Sequence, residues 1–286
     1  MNNTSKTLEA SPSFPVNHGR SIAAIIGIGV GIGAGPALGG VTFALCAWQA
    51  KRARNHPGVA PEIVTGSGLM GPTADPPLRV TWLGDSLAAG IGADHVDDTP
   101  ASLVARMLDR PVELRMLAVP GAKSADVLNE QVAQMTGDED LVVVCVGSND
   151  VASRTRRRDY SRQLDAILAA TDGAPTIVLS LPDISMADRI GQPLRWLAGL
   201  RAGYFEAARA RVARRHDHVA SVDIATRPEG ISRSVGKEML CPDRFHPGPL
   251  VYRVWAERIA EVGNQLLGIP QPALVPIPVE TRRRTR

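Results

Sequence analysis

Residues 141–146, LVVVCV, form a run of six without one polar side chain. A strand with one face in water alternates apolar and polar residues, so a run that is apolar throughout must be covered on both faces. Four further strands are expected at residues 78–83 (LRVTWL), 112–117, 176–181 and 219–224. Residues 100–109, 124–135, 159–170, 194–215 and 249–267 carry apolar side chains at helical spacing, one such segment after each strand. Strands that alternate with helices imply a parallel sheet with helices on both sides. The expected fold is a three-layer α/β/α sandwich with a five-stranded parallel sheet, over residues 78–268.

The composition supports one folded unit with unusual ends. Hydrophobic residues make up 44% and charged residues 21%, which excludes wholesale disorder and a polytopic membrane protein. The net charge of +3 is not uniform: residues 1–74 sum to +3, residues 270–286 to +3, and the segment between to −3. A mildly acidic centre is no nucleic-acid-binding domain, and no nucleic-acid partner is expected. Residues 1–20 are polar and expected to be disordered. Residues 21–50 contain no charge and, as a helix, would run roughly 45 Å, enough to cross a hydrocarbon core of about 30 Å. They are expected to anchor the chain in a membrane as a single pass. Gly27, Gly31, Gly35 and Gly39 fall on one face of that helix, an arrangement through which two anchors can pair into a homodimer. Lys51, Arg52 and Arg54 outnumber the cations before the segment, which favours a cytoplasmic catalytic domain. Residues 51–77, rich in Pro and Gly, are expected to be a linker, and residues 269–286 a Pro-rich basic tail.

In an open parallel sheet, functional residues collect beyond the carboxyl ends of the strands. Those positions hold Gly84-Asp85-Ser86-Leu87, Pro120-Gly121 and Gly147-Ser148-Asn149-Asp150; Asp243-Arg244-Phe245-His246 opens the last helix. A serine hydroxyl is a weak nucleophile until a base takes its proton. His246 is of the right type, and Asp243 can orient its ring and stabilise the imidazolium. The backbone N–H groups of Ser86 and Gly121 and the side-chain amide of Asn149 can form an oxyanion hole. Asp85 and Asp150 are expected to brace these loops rather than to react.

In these four blocks the sequence resembles the SGNH hydrolases, also called GDSL esterases/lipases, over roughly residues 78–267. The resemblance implies a flavodoxin-like strand order and a Ser86–His246–Asp243 triad, with Gly121 and Asn149 in the oxyanion hole. It also implies neither metal nor organic cofactor. The expected activity is hydrolysis of carboxylic esters, on a small-molecule or lipid substrate, through an acyl-enzyme. The alternatives are a membrane-tethered O-acyltransferase or deacetylase using the same site, and a non-catalytic binding protein. A G-x-S-x-G elbow of the other large hydrolase fold would need glycine at 88, where Ala88 stands.

Several decoys are set aside. Gly29-Val30-Gly31 lacks the βαβ unit and the acidic residue of a dinucleotide site. Cys46 follows Leu45, too large for a lipoprotein cleavage site. His216 and His218 have no carboxylate cluster in sequence to complete a metal site. Cys145 is expected in the core and Cys241 in a structural role. His95 and the arginines at 154 and 156–158 are expected in solvated loops, the arginines with some capacity for an anionic head group. Residues 184–193 and Trp196 are expected near one wall of the substrate site.

Overall fold

The computed structural model describes residues 66–71, 76–183, 190–225 and 239–269, together with Leu45. Apart from Leu45, the expected anchor lies outside the described residues, as do the N-terminus, most of the linker, residues 184–189 of the expected wall, and the tail after residue 269. No helix among the described residues is long and apolar enough to cross a membrane.

Among the described residues six strands form one sheet: β1 (Gly68–Met70), β2 (Leu78–Gly84), β3 (Val112–Met116), β4 (Leu141–Cys145), β5 (Thr176–Leu179) and β6 (Val219–Val222). Their spatial order is β1-β3-β2-β4-β5-β6. The five expected strands pair in parallel, in the flavodoxin-like order. The sixth, β1, corrects the expected count. It comes from the stretch assigned to the linker and pairs antiparallel with β3, Leu69 opposite Glu113. Three residues on an outer edge need few apolar side chains, which is why the linker composition concealed it.

The helices are α1 (Pro100–Met107), a helical segment over 124–134, α3 (Ser148–Ala152), α4 (Arg157–Ala170), α5 (Leu194–Ala213) and α6 (Pro249–Leu266). The segment over 124–134, α2, opens with one α-turn, continues as a π-helix over Val127–Gln131 and closes as a 3-10 turn over Val132–Gln134. Local chemistry starts α1 sharply: Pro100 supplies the first helical φ, and the Thr99 hydroxyl accepts from the Ser102 N–H.

The all-apolar run of β4 is divided between two cores, as its pattern required. Leu141, Val143 and Cys145 join Val80, Trp82, Ile177, Tyr252 and Ile259 on the side covered by α1 and α6. Val142 and Val144 join Leu83, Val127, Leu164, Ile167 and Phe205 on the side covered by α2, α4 and α5. The strand order reverses at β2, so the crevice beyond the ends of β2 and β4 is the topological switch point, where ligands bind in sheets of this kind.

Candidate active site

β2 ends at Gly84, and the backbone there admits only glycine. Its φ is +146°, and a Cβ would stand 2.0 Å from the carbonyl oxygen of Cys145 on β4. The two strands can therefore stay paired to their ends: the Asp85 N–H donates to that same carbonyl at 3.1 Å. The chain then turns through Ser86, with Ala89 N–H donating to Asp85 O and Ile91 N–H to Ser86 O. Gln131, at the end of the π-helix, clamps the turn from beneath. Its Oε1 accepts from the Gly84 N–H at 2.7 Å and its Nε2 donates to the Gly84 carbonyl at 2.8 Å. From the other core, the Tyr252 hydroxyl of α6 donates to Ile91 O at 2.6 Å.

The loop carrying His246 folds back on itself. Cys241 N–H donates to His246 O, and Gly248 N–H to Met239 O. Inside this loop Asp243 is buried. Its Oδ1 accepts from the backbone N–H groups of Phe245 and His246 and from the Cys241 thiol, at 2.8, 2.9 and 2.9 Å. Its Oδ2 meets His246 Nδ1 at 2.5 Å. Burial alone would raise the Asp243 carboxyl, but the bonds and charge of His246, with the Cys241 thiol, hold it well below the usual carboxylate range. The Cys241 thiol is pushed up to about 12, by burial first and then by its bond to Asp243. The far nitrogen, His246 Nε2, lies 3.1 Å from Ser86 Oγ. Three residues from chain positions up to 160 apart thus form one hydrogen-bonded line from a buried carboxylate to a half-buried hydroxyl.

The third strand-end contributes Asn149, on α3. One N–H of its amide donates to Ala122 O at 3.0 Å, and Nδ2 lies 3.5 Å from Asp85 Oδ2, the outer limit of a hydrogen bond. Gly121, one residue before Ala122, has φ +86° and no atom within 4 Å of where a Cβ would be, so its backbone faces open space. The N–H groups of Ser86 and Gly121 donate to no acceptor among the described residues. Asp85 and Asp150 are both wholly buried. Asp85 Oδ1 accepts from the Leu87 N–H, yet burial, with the Asp150 charge nearby, raises this carboxyl to about 7. Asp150 accepts from the N–H and hydroxyl of Ser124, tying α3 to α2; burial raises its carboxyl as well.

The structure therefore brings Ser86, His246 and Asp243 into direct contact and sets Asp85 beside Asn149. It leaves His95 and the arginines at 154 and 156–158 exposed. His216 bonds Asp165, and His218 meets Leu168 O, both just before β6 at the opposite end of the sheet from Ser86. Among the described residues no His, Cys, Asp and Glu gather in a group able to hold a metal. Cys145 is buried in β4, its thiol pushed up by desolvation. Sequence reasoning missed Gln131, Tyr252 and Arg201. The last donates to the carbonyls of Val151, Ser153 and Thr155, fixing the chain beyond Asn149.

A serine, an imidazole and a carboxylate aligned at the switch point of a doubly wound sheet are groups of the kinds that nucleophilic hydrolysis requires. Residues 82–254 match the GDSL-like Lipase/Acylhydrolase family, and the chain belongs to it. A GDSL-like esterase of Mycobacterium tuberculosis is 28% identical over 193 residues, 63% of this chain. The match spans 60% of the length of that relative. The crystal structure of a lipase/acylhydrolase from Enterococcus faecalis superposes with a TM-score of 0.53 at 19% identity, covering 68% of this chain and 98% of that one. A Lactobacillus plantarum protein gives a TM-score of 0.50 at 21% identity, covering 66% and 97%. At these identities the two solved structures share the fold.

Proposed function

We propose that the chain hydrolyses carboxylic esters through an acyl-enzyme on Ser86. Ser86 Oγ attacks the ester carbonyl carbon as its proton passes to His246 Nε2, and the carbonyl π pair moves onto oxygen. Asp243, held ionised, stabilises the imidazolium through Nδ1. The backbone N–H groups of Ser86 and Gly121, with one N–H of Asn149, receive the oxyanion. Collapse breaks the bond to the alcohol oxygen, which leaves with the proton from His246. Water then repeats the sequence: its oxygen bonds to the acyl carbon as His246 takes its proton, the acyl–Oγ bond breaks as His246 returns that proton to Oγ, and the carboxylic acid and free Ser86 result.

The observation that carries this reading is the unbroken line Asp243 Oδ2, His246, Ser86 Oγ, at 2.5 and 3.1 Å. The unpartnered N–H groups of Ser86 and Gly121 support the oxyanion assignment. Family membership and the esterase relative point to the same chemistry. The test is turnover of short p-nitrophenyl esters: Ser86→Ala lowers kcat by roughly 10⁶-fold if the three residues act as a unit. Full activity in that variant would refute the assignment.

A further inference from the structure

α5 has two apolar faces. The inner face, which includes Ala198, Ala202, Phe205 and Val212, is buried in the core. On the outer face Trp196, Leu200 and Tyr204 follow one another at four-residue steps, which places them on a single ridge. They are 59%, 47% and 63% exposed. Gly199, Gly203 and Ala207 form the adjoining row, and no atom lies within 4 Å of where a Cβ on either glycine would stand. Ridge and row border an open groove of about 830 Å³.

A helix face in plain water carries charges. Here the outward positions 196, 199, 200, 203, 204 and 207 carry none; the half-buried Arg195 lines the near end of the same groove, and the next in line at the far end is the exposed Arg211, with Arg214 close after it. No carboxylate interrupts the face. The same helix holds, through Arg201, the stretch of chain that bears four more exposed arginines at 154 and 156–158. A ridge of Trp, Leu and Tyr that runs into cations is complementary to the boundary of an anionic bilayer. Aromatic rings with a polar tip favour that boundary, and arginines favour its phosphates. A second copy of the chain is a poorer match. The three exposed side chains amount to roughly 350 Å², given about 150–250 Å² for large side chains. A stable protein interface takes about 800 Å² from each partner.

We propose that the outer face of α5 is a membrane-surface contact that seats Trp196, Leu200 and Tyr204 among the head groups of anionic lipid, with Arg211 and Arg214 on the phosphates. α5 begins at the end of the sheet that carries Ser86 and Asn149, so Trp196, in its first turn, is the part of this contact nearest that end. It goes beyond the ester-hydrolysis reading and stands without it.

The test reads Trp196 itself, so that any vesicle binding by residues 21–50 does not enter. Full-length protein is mixed with phosphatidylcholine/phosphatidylglycerol vesicles whose acyl chains are brominated. The Trp196 signal is the difference in emission between the wild type and Trp196→Phe. The expected result is at least twofold quenching of that signal at saturating vesicles, with the vesicle affinity it reports falling roughly fivefold for each arginine whose phosphate contact is lost when phosphatidylglycerol is omitted. Leu200→Glu with Tyr204→Glu should abolish the quenching while soluble-ester turnover is kept; should that variant fail to fold, the wild-type difference signal still decides. An unquenched Trp196 on a chain that sediments with the vesicles overturns the proposal. So does a concentration-dependent blue shift without lipid, which would mean a second copy covers the face. A signal that moves only after residues 21–50 are deleted would assign the face to that segment and also overturn it.

Discussion

Replacing Gln131 by Leu keeps roughly the volume of the side chain and removes its amide. Gln131 is 2% exposed, and its two hydrogen bonds go to one residue, Gly84, two positions before Ser86. The Gly84 carbonyl keeps a second donor, the Val119 N–H at 3.1 Å, but the Gly84 N–H loses its acceptor in a place water does not reach. A buried donor left unpaired costs about 1–3 kcal/mol. For a domain of this size each kcal/mol shifts Tm by about 2–4 °C, so Tm should fall by about 2–12 °C. The turn that carries Ser86 would relax toward the vacated amide and lengthen the 3.1 Å approach to His246 Nε2. Misplacement on the order of 1 Å costs about 10²-fold in rate, so kcat on a short p-nitrophenyl ester should fall about 10–100-fold with KM within about threefold. Gln131→Glu keeps the acceptor for the Gly84 N–H but, ionised, has no donor for the Gly84 carbonyl and buries a charge, so any recovery should be confined to low pH, where the carboxyl is protonated. A Leu variant with unchanged Tm and kcat would refute the clamp.

Other consequences are as specific. Gly84→Ala must push β2 away from the Cys145 carbonyl, because its Cβ would meet that oxygen at 2.0 Å. A loss of at least about 2 kcal/mol is expected in urea unfolding, with turnover lost in the same variant. Asp85 is raised from 3.8 to about 7, so the folded state holds its proton where the unfolded chain has released it. Stability therefore falls with rising pH across that window, by on the order of 4 kcal/mol at about 1.4 per unit, and Asp85→Asn should flatten the slope in thermal melts. Asp243 is lowered, and its contribution has the opposite sign: complete above the ordinary carboxylate range and lost as the pH falls toward the folded value. Asp243→Asn should lower kcat by about 10⁴-fold near neutral pH, with the fold intact by circular dichroism.

The strands buried on both faces were legible because their apolar runs leave no solvent side. The run over 141–146 called for a strand covered on both faces, and β4 is one, at Leu141–Cys145, with β2 on one side and β5 on the other. β1 was illegible, since Gly68–Met70 gain their structure from pairing with β3 more than forty positions later. The apolar spacing over 124–135 located a helix but could not show that its middle is π-helical, a change of hydrogen-bond register that leaves side-chain type untouched. Ser86 was legible as a motif residue at a strand end, and His246 as one opening the last helix. Gln131 was not, because a glutamine in a helix reads as solvent-facing, and its partner is a backbone 47 positions away. Arg201 was hidden for the same reason: it binds carbonyls, which carry no sequence signature.

Every step proposed for this chain depends on Ser86 as a nucleophile activated by His246. A fluorophosphonate reacts with a serine so activated, and the adduct can be located by peptide mass spectrometry. One adduct per chain is expected, on Ser86, formed in step with loss of ester turnover and absent from Ser86→Ala and His246→Ala. An adduct on another residue, or full turnover by a chain labelled at Ser86, would contradict it.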